Sequence, residues 1–349
     1  MRNFFEDKYI NIELKRQLIN LISEISEYKG KLDAYQEQRP DIFNNLKKII
    51  PLHYTKNFST TYTDKKISNK RIKELTINKT IPESITEDAI FCYNQTFSLV
   101  HEKAKDLSIN PKTIQELHFQ LMNYNNSDSG IWRDKPFSIP KFKNNTIKIH
   151  NYCPLPYELI SQTLEDLCNQ YNALKTCKGQ HSLLLIARFI LNFYCIFPFS
   201  QGNGRLTLML IQLLLLKNGH TFVKYVCVDK YINEKQFEYY EAIYKSSVNW
   251  YCNEHNISFW LKKFLIIILE AYKDLHNRIR DSIFNQSKLE RIQNFILSQN
   301  TPFTKETICG IYPDIAEGTI SKTLYNLQLA GEIKLISKGR SAHWMKISP

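Results

Sequence analysis

Two strongly apolar segments, Ser182–Phe197 and Arg205–Leu216, follow one another with only Pro198-Phe199-Ser200-Gln201-Gly202-Asn203-Gly204 between them. Each is long enough for a helix and apolar on nearly every face, so each has to be wrapped by other elements. The rest of the chain supplies the wrapping. Helical spacing recurs over Asn11–Tyr35 (Leu14, Leu18, Leu21, Ile25), Ile85–Leu107, Pro111–Met122, Asn233–Val248 and Ser258–Ile283. Asn110 and Pro111 read as the cap and first position of one of these helices. The longest apolar run, Leu183–Phe199, is broken by Arg188 and Asn192. It falls short of a membrane span and reads as a buried helix.

Two places depart from the helical pattern. Between Trp132 and Tyr152, Phe137, Ile139, Phe142, Ile147 and Ile149 alternate around Asn144-Asn145, as a short hairpin does. The polar stretch Thr55–Lys70 reads as a loop or short helix. Near the C-terminus the order changes again. Helices are expected around Leu289–Ile296, at Lys305–Ile311 and at Thr319–Leu329 after a Glu317-Gly318 turn. Strands are expected at Ile333–Leu335 and Trp344–Ile347, around Lys338-Gly339-Arg340. Three helices and a hairpin describe a winged helix-turn-helix. Residues 1–85 are expected to form an N-terminal helical region, 86–283 the core and 284–349 the winged helix.

At 349 residues the chain is long enough for two or three domains, and 43% hydrophobic content excludes disorder as the default. Its eight cysteines are scattered singly, a pattern that suits a reducing cytosol rather than disulfides or zinc. The early charges of Arg2, Glu6, Asp7 and Lys8 do not make a signal peptide. A cytoplasmic protein without membrane attachment is expected. The net charge of +12 fits a polyanionic partner, and equally a lysine-rich solvated surface.

The chemistry concentrates in the loop between the apolar pair. Two of the ten glycines, Gly202 and Gly204, fall within three residues, directly before a helix. Backbone N–H groups at a helix start, with Arg205 beside them, form a cradle suited to phosphate. A tight turn capped by Asn203 explains the same residues equally well. Outside the loop, His118 reads as a packing residue on an apolar face. His150 is the one histidine placed to act as a substitute base.

The segment Phe197–Leu208 resembles the signature of the Fic proteins, HPFx(D/E)GNGRxxR, in register at Pro198, Phe199, Gly202, Asn203, Gly204 and Arg205. Leu117-His118, Gly130-Ile131-Trp132-Arg133, Glu238-Tyr239-Tyr240 and Trp260 support it, and the resemblance spans roughly residues 10–280. It implies a mostly α, Fido-type helical core with a small β-hairpin flap, to which many such proteins add a winged helix. It also implies AMP transfer from ATP to a hydroxyl of a target protein. Gly202, Asn203, Gly204 and Arg205 would hold the nucleotide phosphates, and Tyr239 and Tyr240 would line the base pocket. The Ile139, Ile147 and Ile149 segment would hold the target peptide as an added strand.

Three positions break the pattern. Phe197 stands where the resemblance expects the histidine base, Gln201 where it expects the magnesium carboxylate, and Leu208 where it expects the second arginine. A phenyl ring accepts no proton and a neutral amide is a poor magnesium ligand. Thr63 stands where an inhibitory glutamate would pair with that second arginine. The expectation is a catalytically weak or inactive module that binds ATP or another nucleotide weakly and does without magnesium. Two alternatives stay open. One is a transferase of altered chemistry using a nucleotide or nucleotide-sugar donor. The other is a transcription regulator touching DNA through Lys322, Lys338 and Arg340. A protein partner at the flap and a homodimer complete the expectations.

Overall fold

The computed structural model describes residues 3–5, 11–63, 67–78, 80–124, 128–136, 155–177, 180–284, 287–299, 301–312, 315–337, 339 and 342–347. The expected hairpin with Ile139, Ile147, Ile149 and His150 lies outside the described residues, as do Lys338 and Arg340. Fourteen α-helices are described: α1 (Ile12–Gln38), α2 (Pro40–Tyr62), α3 (Asn69–Thr76), α4 (Ile85–Lys103), α5 (Pro111–Met122), α6 (Ile160–Thr176), α7 (Ser182–Ile196), α8 (Asn203–Lys217), α9 (Val228–Glu234), α10 (Gln236–Ser247), α11 (Ser258–Phe284), α12 (Lys288–Ser298), α13 (Lys305–Ile311) and α14 (Glu317–Leu329). Three short strands join them: β1 (Phe303–Thr304), β2 (Ile333–Ser337) and β3 (His343–Lys346). The chain is mostly α.

Contacts divide it into two units, Met1–Asp33 with Leu46–Leu275, and Ala34–Asn45 with His276–Pro349. In the first, α7 packs on α6, α8 and α10, while α8 also packs on α4 and α5. The apolar pair is therefore central, as its composition requires. Of the residues of α7, all but Ser182, Leu184 and Tyr194 are buried. Local signals set the entries to the surrounding helices. Ser84 caps α4 by accepting from the Glu87 N–H, and Asn110 caps α5 by accepting from the Thr113 N–H, with Pro111 at the start. No helix among the described residues is long and apolar enough to cross a membrane.

Four local expectations need correction. Thr55–Tyr62 is not a loop but the last turns of α2, where the Thr60, Thr61 and Thr63 hydroxyls bond back to carbonyls four residues earlier. Polar composition hid a helix whose other face carries Tyr54 and Phe58, both buried. The expected single helix Asn233–Val248 is broken at Lys235 into α9 and α10. α8 starts at Asn203, two residues before the apolar run begins, which draws Gly204 into its first turn. α14 likewise begins at Glu317, where a turn was expected.

In the second unit the element order is α12, β1, α13, α14, β2, β3, with an antiparallel sheet ordered β1-β3-β2. Ile292, Ile308, Ile320, Leu324 and Ile333 form its core, with Trp344 packed against it. Ser287 and Glu290 make a reciprocal capping box at the start of α12. The two-residue β1 is too short to register as a periodic pattern.

Candidate active site

Phe197 ends α7 in the left-handed region (φ 50°, ψ 64°). A bulky residue there costs roughly 1–2 kcal/mol relative to an ordinary backbone. Arg133 holds it. Its side chain is 4% exposed, and Nε donates to the Phe197 carbonyl at 2.8 Å. Its Nη2 donates to the Leu155 carbonyl and its own N–H to the Pro198 carbonyl at 2.9 Å. One buried guanidinium thus ties the end of α7 to the segment entering α6.

The rest of the loop is fixed as firmly. Asn203 is 2% exposed; its Oδ1 accepts from the Phe199 N–H at 3.1 Å and its Nδ2 donates to the Phe199 carbonyl at 2.7 Å. Its amide is fully spent as a staple. Gly202 has φ 75°, and a Cβ there would lie 2.8 Å from Met122 Sδ and 2.9 Å from His118 Nε2. No other residue fits without displacing both.

His118 closes the floor of the loop. The Gly130 N–H donates to Nδ1 at 2.9 Å, so Nε2 carries the proton and donates to the Gln201 carbonyl at 3.0 Å. The ring stacks on Phe199 at 3.6 Å and 4°. Burial pushes its pKa down to about 4, against the pull of the Gln201 carbonyl. It is a neutral packing residue, and both ring nitrogens are in use.

The open side faces the start of α8. Gly202, its N-cap, contributes no side-chain bond, and the N–H groups of Asn203, Gly204 and Arg205 have no acceptor among the described residues. Arg205 is half-buried; its Nη1 bonds the Tyr124 hydroxyl and lies 3.6 Å from Met122 Sδ. The guanidinium stands 5.5 Å from the Tyr62 ring centroid and 5.8 Å from that of Phe58. It has no carboxylate partner among the described residues.

Tyrosines surround this mouth. A Cβ at Gly204 would come within 4.0 Å of the Tyr240 hydroxyl. Tyr240 meets Tyr239 edge-on at 5.3 Å and Tyr194 at 6.4 Å, while Tyr194 meets Phe197 edge-on at 6.2 Å. Tyr239 itself is buried against Trp260 at 5.2 Å. Burial first, then the neighbouring Tyr240, raises the pKa of Tyr62, so its hydroxyl stays neutral. Leu208 is 3% exposed inside α8, and Gln201 is exposed with a neutral side chain. Thr63 bonds back to the Ser59 carbonyl at 2.5 Å.

Sequence reasoning missed two groups. Arg133 was visible only as part of a supporting motif, although a lone arginine in an apolar segment signals a buried guanidinium with several acceptors. Phe58 and Tyr62 lay in the stretch read as a loop; their i, i+4 spacing was the available sign of a shared helical face.

The Fic/DOC family model matches residues 108–215, which hold His118, Arg133 and the whole loop. The chain carries a Fic domain. Its fold is similar to that of a Fic family protein from Desulfovibrio desulfuricans G20, at 15% identity and a TM-score of 0.62 over 99% of both chains. A Fic domain containing signaling protein from Bacteroides thetaiotaomicron VPI-5482 matches at 14% identity and a TM-score of 0.56, over 74% of this chain and 98% of the other. Residues 134–508 of Fic-1 from C. elegans match at 13% and 0.55, over 78% and 74%. At such identities the likeness is one of fold. No curated protein matches the chain significantly.

Proposed function

We propose that this Fic-domain protein lacks efficient AMP transfer and uses its glycine loop to bind a phosphate-bearing ligand, as a binding or regulatory module. Arg205 carries the reading. It is a half-buried cation without a carboxylate partner among the described residues, beside three helix-start N–H groups without acceptors. An anion bound there would satisfy all four groups together. A nucleotide would also find the Tyr240 ring beside Gly204, with Tyr239 buried behind it.

The same positions argue against the chemistry. Phe197 offers no proton acceptor at the end of α7, and His118 is neutral with both nitrogens committed. Loss of a general base alone typically costs about 10²–10⁴ in rate. The exposed amide of Gln201 and the buried side chain of Leu208 do not fit a magnesium nucleotide, so no step is assigned to the metal.

Calorimetric titration with ATP, with and without magnesium, tests the proposal. Weak binding that ignores magnesium and disappears in Arg205→Ala is expected; tight magnesium-dependent binding would overturn it. A transferase of altered chemistry would instead add mass to protein incubated with nucleotides or nucleotide sugars.

A second reading rests on the C-terminal unit. Its order, helix–strand–helix–helix–strand–strand, suits a winged helix, and Lys322 is exposed on α14. DNA binding there would weaken steeply with salt, with a shallower slope in Lys322→Ala. No retardation of DNA at low salt would leave protein docking as its role.

A further inference from the structure

On α10, the helix that carries Tyr239 and Tyr240, other side chains meet α11 in an open groove of about 220 Å³. Phe259 and Ile266 form its apolar floor, and Phe259 remains 48% exposed. Phe237, one residue before Glu238 on α10, is 56% exposed. Large aromatics left open in this way mark contact surfaces more often than isolated exposed residues do.

The charges are sorted by helix. Glu238 and Glu241 line the α10 side, and Lys262 and Lys263 the α11 side. Glu241 already pairs with Lys245 at 2.9 Å, and Lys245 lies over the Phe259 ring at 5.6 Å. Glu238, Lys262 and Lys263 have no ion-pair partner among the described residues.

A surface with carboxylates along one edge, ammonium groups along the other and an apolar centre is complementary to itself under a two-fold rotation. Rotation about an axis over the groove brings the acidic edge of one copy against the basic edge of the other, and Phe259 against its own symmetry mate. A contact of this kind is isologous, the type used by two-fold dimers. We propose that the α10–α11 groove is a homodimer interface, occupied by the same groove of a second copy of this chain.

Sedimentation velocity on the full chain tests it through a charge swap. The unaltered protein should sediment at twice its 41.2 kDa mass. Lys262→Glu with Lys263→Glu sets acid against acid, and Glu238→Lys with Glu241→Lys sets base against base. Each double variant alone should associate about tenfold or more weakly. An equimolar mixture restores both complementary edges and should dimerise again. Circular dichroism establishes that each variant is folded before mixing. An unaltered protein that stays monomeric, a dimer indifferent to either variant, or a mixture of folded variants that fails to recover would each overturn the proposal.

Discussion

The frame of the loop and its reactive positions have diverged in opposite directions. Arg133, His118, Gly202 and Asn203 make every contact needed to hold the turn between α7 and α8, and nothing in that set depends on a catalytic group. Phe197, Gln201 and Leu208 occupy reactive positions and offer no base, no carboxylate and no second cation. The contrast teaches that the shape of this loop is maintained by buried backbone bonding, separately from the chemistry it can host. A cradle can therefore outlast its reaction.

Repairing the reactive side gives the largest expected effect. Phe197→His alone should restore little AMP transfer, because the nucleotide would still lack a metal ligand and a second cation. Adding Gln201→Asp and Leu208→Arg should raise self-modification with AMP by about 10² or more, read as a mass gain on purified protein. A folded triple variant that stays silent would show that the frame alone does not preserve the reactive geometry. Leu208 is buried, so a thermal melt has to accompany that result.

Damage to the frame should act on stability instead. Arg133→Ala leaves the Phe197 and Leu155 carbonyls without their donor and should cost about 3 kcal/mol in urea unfolding. A loss within about 0.5 kcal/mol would mean that water replaces the guanidinium freely. Gly202→Ala should cost roughly 1–3 kcal/mol, from a strained φ and from contact with Met122 and His118.

A smaller effect is expected deeper in α8. Asp229, fully buried, accepts from the Tyr93 hydroxyl at 3.1 Å and from Gln212 Nε2 at 3.2 Å. Burial pushes its pKa up to about 7, more than these two donors lower it. A carboxyl raised in the folded state favours folding below its unfolded pKa, near 4, and that contribution is lost as pH rises through 7. His101 and His118, both pushed down to about 4 by burial, act oppositely, losing their contribution as pH falls. The difference between the unaltered protein and Asp229→Asn isolates the aspartate. It should shrink the unaltered protein's advantage steadily from pH 4 to 7; a constant difference would place the Asp229 pKa near its ordinary value.

The central pair, its loop and the capped start of α5 were legible because each rests on a short, local pattern: apolar saturation, a glycine pair, an Asn-Pro start. The same held for α12 to α14 and the two longer strands. What was not legible depended on partners distant in sequence. The end of α2 reads as polar because its threonines bond to their own helix, while its aromatic face is explained only by Arg205. Nothing within Gly130–Arg133 announces that the guanidinium of Arg133 reaches the carbonyl of Phe197. For Asn203 the two open readings, cap and phosphate ligand, separate cleanly. Its side chain staples Phe199, and only its backbone N–H remains for a ligand.

Arg205 is where frame and chemistry meet, and a nucleotide titration of the purified chain addresses it most directly. With magnesium and then with a chelator in its place, ATP should bind weakly and equally, and Arg205→Ala should remove the heat of binding while leaving the melting temperature close to that of the unaltered protein. Magnesium-dependent tight binding would contradict the account, as would binding that survives the loss of Arg205.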